Sequence, residues 1–205
     1  AARRAWPAGG GGDFVTAISR PLEQEERLLL RGRAVGLCAR LLTEDADLQE
    51  TSSELQEVLS RLEDAPSLRC LEAFLAAVTP GRPFPTGLAP YETSHERGPG
   101  SAGGPTFQMA DIAGFYRAFG FEVSGERPDH IVPELEFVAL LLVKEAYARM
   151  SGQGEPAEVC STARKTFLQE HLGVWLRELS RRSREAQDGT QLQELISLVL
   201  VLASP

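Results

Sequence analysis

The residues from 109 to 137, MADIAGFYRAFGFEVSGERPDHIVPELEF, hold the densest grouping of side chains able to do chemistry. Glu122, Glu126, Asp129, Glu134 and Glu136 flank Arg127, and Ile112, Phe115, Tyr116 and Phe119 form an i, i+3, i+4, i+7 stripe just before them. Carboxylates beside aromatics could receive an arginine-bearing apolar peptide, through charge-assisted hydrogen bonds to the guanidinium and apolar contact with the rest. The same residues have a plainer reading. Asp129 would cap the helix that follows, Glu134 and Glu136 would be its first-turn acids, and His130 would be a neighbour. On spacing alone both stand.

Other chemistries find little support. The three histidines, His95, His130 and His171, share no helical turn, and there is no HExxH pair. His130, Glu134 and His171 make a conceivable metal set, but three scattered ligands are poor evidence and no metal is expected. No G-x-S-x-G, phosphate loop or G-x-G-x-x-G occurs, so neither catalysis nor a cofactor is expected. Cys38, Cys70 and Cys160 are odd in number, lack C-x-x-C spacing and sit in apolar runs, as free thiols of a reducing compartment would.

The elements that must position these residues read as helices. Leu (28) and Ala (24) outnumber Val (12) and Ile (4), which favours helix over strand. Ser19 and Pro21 would start a first helix running to about 43, Asp47 a second, and a third would follow Pro66. Residues 80–105 contain twelve Pro or Gly among 26, which predicts a long loop between two helical halves with its tip at about 97–105. The stripe from Ile112 ends at Gly120, and Gly114 within it suggests a backbone packed closely alongside. Pro133 would open a strongly apolar helix. One long helix from about 155 would place Phe167, Leu168, Leu172, Trp175, Leu176 and Leu179 inward. Thr190 would begin the last, ending near Ala203. The expectation is an all-α, single-domain bundle of about seven helices over 19–205, behind a flexible tail at 1–18.

At 205 residues the chain suffices for one core, and its net charge of −8 is the wrong sign for nucleic acid or an anionic membrane surface. That field would attract basic peptides. Arg3 and Arg4 invite an export-signal reading, but Trp6, Pro7 and Gly9–Gly12 follow where an apolar segment should stand, so secretion is not expected.

The chain resembles the TorD/DmsD/NarJ group of redox-enzyme maturation chaperones. The likeness lies in Glu126-Arg127-Pro128-Asp129-His130 with Glu134-Leu135-Glu136-Phe137, in the phrase from Asp111 to Gly120, in Tyr91-Glu92-Thr93, and in His171-Leu172 with Trp175. It covers about residues 20–203 and looks most like the subgroup serving type II enzymes of the dimethyl sulfoxide reductase family. The chain departs from the family pattern in its Gly- and Pro-rich stretch at 93–106. The resemblance implies a cytoplasmic, all-helical chaperone with no reaction of its own. Its partner would be the cofactor-free catalytic subunit of a molybdenum oxidoreductase, often bound at its twin-arginine signal peptide. The chaperone would hold that subunit during molybdenum cofactor insertion and delay export. The implied client-binding residues are Tyr91, Asp111, Tyr116, Arg127, Pro128, Asp129, His130, Glu134, Glu136, Phe137, His171 and Trp175. A monomer and a helix-exchanged homodimer fit equally, and a helical adaptor for another peptide is the alternative reading.

Overall fold

The computed structural model describes residues 21–78, 84, 87–95, 104–186 and 189–204. Among these, α1 (Gln24–Leu41), α2 (Leu48–Leu62) and α3 (Ala65–Ala77) precede a single turn of 3-10 helix at Glu92–Ser94. They are followed by α4 (Pro105–Ala118), α5 (Ile131–Met150), α6 (Gly154–Glu170), α7 (Leu172–Glu185) and α8 (Thr190–Ala203). The all-α, single-domain bundle expected from composition is what forms. The tail at 1–18, the Ser19 start and most of the loop tip at 97–105 lie outside the described residues.

Local chemistry sets the helix starts. Asp47 accepts from Glu50 N at 2.9 Å, and Asp64 accepts from Ser67 N at 3.0 Å with Pro66 in the first turn. At α1, the Glu26 carboxylate accepts from Glu23 N at 2.9 Å.

The apolar α5 is the centre of the bundle. Its Leu135, Phe137, Val138, Leu141 and Leu142 are all fully buried. It packs most extensively against α1 and then against α6, while α8 lies on α3 and α1. Close approach of α1 to α5 needs Gly32, since a Cβ there would sit 2.9 Å from Val143 Cγ2 and 3.1 Å from Ala139 O. Gly114, by contrast, would place a Cβ with nothing within 4 Å, so the close backbone expected beside it is not there.

The long helix expected from 155 is broken. His171 lies outside the helical region (φ −125°, ψ −106°), closing α6 by donating its N–H to Phe167 O at 2.9 Å and opening α7 by accepting from Val174 N at 2.9 Å. A side chain at Gly173 would collide with the Leu168 carbonyl, so the tight corner requires glycine there. The inward stripe continues through the corner, which is why spacing alone shows one helix.

Candidate functional site

The site is assembled from three segments with no periodicity in common: the turn at 90–95, the connector at 121–130 and the start of α5. Backbone pairing joins the first two. Glu92 N donates to Asp129 O at 2.8 Å and Ile131 N to Pro90 O at 2.9 Å, on either side of an antiparallel bridge between Tyr91 and His130.

Asp129 is the knot. It is 0% exposed, and its carboxylate accepts from Thr93 Oγ1 at 2.6 Å, Thr93 N at 3.3 Å, Arg127 Nε at 3.0 Å and Arg127 Nη2 at 2.8 Å. The Asp129 cap expected for α5 is therefore wrong. His130 caps instead, its Nδ1 accepting from Val132 N at 3.2 Å, because the helix starts one residue later than that reading required. Arg127, with 46% of its side chain exposed, lies with its guanidinium carbon 4.4 Å from the centre of the Tyr91 ring. The two arms thus hold the guanidinium between a buried carboxylate and an aromatic face.

Below this surface the remaining residues form a support. Tyr116 donates to Pro128 O at 2.8 Å, and its ring packs 4.9 Å from Phe137, which lies 4.9 Å from Phe167. Trp175 Nε1 donates to the buried Glu134 at 2.9 Å and stacks on His95 at 5.4 Å. His95 Nε2 donates to Ala89 O at 2.9 Å, which leaves Nδ1 to accept from Arg182 at 3.2 Å. His171 sets its two ring nitrogens 3.3 Å from Glu92 and 3.1 Å from Asp111, whose side chain is 48% exposed. The expected residues thus form one contiguous unit. Tyr91, Arg127, His130, Glu136 and Asp111 reach its outer side, and the buried Tyr116, Asp129, Glu134, Phe137, His171 and Trp175 lie beneath.

A cavity of about 710 Å³ opens beside the knot. Glu44, Glu122, Glu126 and Glu136 line it together with Tyr91 and His130, and Leu42, Phe84, Val123 and Val132 supply apolar wall; among the described residues no Lys or Arg lines it. Burial raises the Glu136 pKa. Burial also lowers the His130 pKa, with Arg127 acting the same way and Glu126 and Asp129 opposing. Glu44 and Phe84 belong to this wall and were not singled out from the sequence. They come from the α1–α2 turn and the Pro-rich stretch, where no motif flags them. His95 was likewise missed as a support.

His130, Glu134 and His171 do not converge on a metal. Each is committed to a different partner, and among the described residues no group of three or more His, Cys, Asp or Glu could hold an ion.

Three curated proteins and one family model resemble the chain. It is 38% identical over 96 residues to the selenate reductase assembly chaperone protein of Thauera selenatis, covering 43% of this chain and 49% of that one. It is 33% identical over 140 residues to the perchlorate reductase assembly chaperone protein of Dechloromonas aromatica (strain RCB), covering 66% and 59%. With the chlorate reductase assembly chaperone protein of Ideonella dechloratans it shares 34% over 96 residues, covering 43% and 49%. The matches thus span about half to three fifths of these relatives' lengths. No solved structure matches. The family model for the nitrate reductase delta subunit matches residues 43–181, more than half of the chain's 205 residues, and the chain therefore belongs to the nitrate reductase delta subunit family.

Proposed function

We propose that the chain is a system-specific assembly chaperone. Its client would be the cofactor-free catalytic subunit of a type II dimethyl sulfoxide reductase family molybdoenzyme, including that subunit's twin-arginine signal peptide. It holds the client in the cytoplasm while the molybdenum cofactor is inserted, delays export, and catalyses no reaction itself. The names of the selenate, perchlorate and chlorate reductase assembly chaperones support the client class.

The observation that carries the peptide-binding reading is the cavity beside Asp129, lined by four glutamates and an apolar wall, with no cation among the described residues of its lining. An arginine pair followed by apolar residues fits such a lining, the guanidinium groups against the glutamates and the apolar part against Leu42, Val123 and Val132. Tyr91, His130 and Glu136 meet the client directly in this reading. Arg127 and Asp129 fix the wall that presents them, and Tyr116, Pro128, Phe137, Glu134, Trp175, His171 and Asp111 set the register of the segments behind it.

The test is capture from the native host with tagged chain, wild type against Glu122→Gln/Glu126→Gln/Glu136→Gln. The wild type should recover a molybdopterin-dependent catalytic subunit, mainly without its cofactor, and the triple variant at least tenfold less. Recovery of no such subunit while the host is expressing one overturns the client assignment. Equal recovery by both proteins removes the cavity from it.

A further inference from the structure

A second cavity, of about 300 Å³, lies between α1, α5 and α6, and its charge is opposite to that of the chain. Among the described residues Arg27, Arg31, Arg149, Arg164 and Lys165 line it, against Glu145 and Glu158. In a chain of net charge −8 this is a local surplus of cations. An adjoining groove shares Arg27 and Arg31 and adds Glu63 and Asp64, and with those two counted five cations still face four carboxylates among the described residues.

The floor of the cavity has donors left over. Arg164 is 2% exposed; its Nη2 donates to Glu145 at 3.1 Å and its Nη1 to Ala203 O at 2.9 Å, while its Nε has no hydrogen-bond partner among the described residues. Ser161, 5% exposed, lines the same cavity, and its hydroxyl likewise has no protein partner among them. Glu145 is already engaged at both oxygens, its other one taking Nε and Nη2 of Arg149 at 3.1 and 2.7 Å. Arg27 and Lys165 are exposed at the rim and form no ion pair among the described residues. Burial and the nearby Arg164 lower the Arg31 pKa, with Glu145 and Asp64 opposing, as expected where guanidinium groups crowd together.

We infer that this cavity binds a phosphate group or a similar tetrahedral oxyanion, gripped by Ser161 and the unpartnered Nε of Arg164 within and by Arg27 and Lys165 at the mouth. Planar guanidinium forks match phosphate oxygens, and a volume of about ten liquid waters leaves room for part of the molecule carrying the group. The site is independent of the acidic cavity, so it stands or falls apart from the client assignment.

The test is calorimetric titration of the full chain with sodium phosphate, against sodium chloride at matched ionic strength, and then with glycerol 3-phosphate. Saturable binding of phosphate beyond the chloride control is expected. Arg27→Glu/Lys165→Glu, which alters only exposed side chains, should weaken it tenfold or more, and Ser161→Ala should weaken it severalfold with an unchanged unfolding midpoint. Tighter binding of the ester than of phosphate identifies a group carried on a larger molecule; equal binding identifies the free ion. A phosphate response no larger than that of chloride, or full binding by the rim variant, overturns the site.

Discussion

Changing Asp129 to asparagine keeps the shape of the side chain but removes the charge that four donor contacts were built around. Arg127 would lose its carboxylate and the Thr93 hydroxyl a strong acceptor, so Asp129→Asn should cost about 1–3 kcal/mol and Asp129→Ala somewhat more, read from urea unfolding at fixed pH. The residue was legible in sequence as important but not in its role. A cap and a buried knot differ by one residue in where α5 begins, and nothing in ERPDH indicates that Thr93, 36 positions earlier, would pair with it. Two histidines give the site a pH dependence of definite sign. Burial lowers the pKa of His95 and of His130, each helped by a neighbouring arginine (Arg182 and Arg127), so the unfolded chain binds protons at these positions more readily than the folded one. Their contribution to stability is complete above the unfolded histidine value of about 6.5 and is lost as pH falls below it. The unfolding midpoint in urea should therefore drop between pH 7.5 and 5.5, and His95→Gln should flatten that dependence. A midpoint rising over the same interval contradicts the assignment.

Glycines separate what the sequence shows of the elements from what it hides. The mid-helix positions Gly32, Gly36 and Gly114 look alike in sequence, yet a Cβ meets α5 atoms within 3.3 Å at Gly32, touches only Ala139 Cβ at 3.9 Å at Gly36, and meets nothing within 4 Å at Gly114. Gly32→Ala should destabilise by about 1–3 kcal/mol by forcing α1 off α5, whereas Gly114→Ala should stabilise by about 0.5–1 kcal/mol through helix propensity. Thermal unfolding of the two variants checks both signs. Helix identity was otherwise legible because the apolar stripes are long: Asp47 and Thr190 mark true starts, and the stripe behind Phe167 and Trp175 is real. The break at His171 was not legible. A one-residue departure leaves the inward pattern intact, and the clash that demands Gly173 is visible only once the corner exists.

At the scale of the molecule, opposite charges occupy separate places, glutamates beside the 121–136 segment and cations between α1, α5 and α6. A basic client peptide should be steered to the first by the overall field. Its association rate should fall steeply as salt is raised from 20 to about 200 mM, where the screening length shrinks below about 10 Å, while dissociation changes less. Stopped-flow fluorescence of a labelled twin-arginine peptide reads both rates. The arrangement of α8 bears on a different event. This helix packs on α3, α1 and α7 with Leu192, Leu195, Leu198, Val199 and Leu202 buried, and side chains of α1 and α6, Arg31 and Arg164, hold its final carbonyls. At ribosomal speeds of about 5–20 residues per second, the stretch from Ala77 to Ala203 takes roughly 6–25 s to emerge. For that interval the newborn chain carries the uncovered sides of its first three helices, so a protein proposed to guard unfinished subunits itself passes through an unguarded infancy.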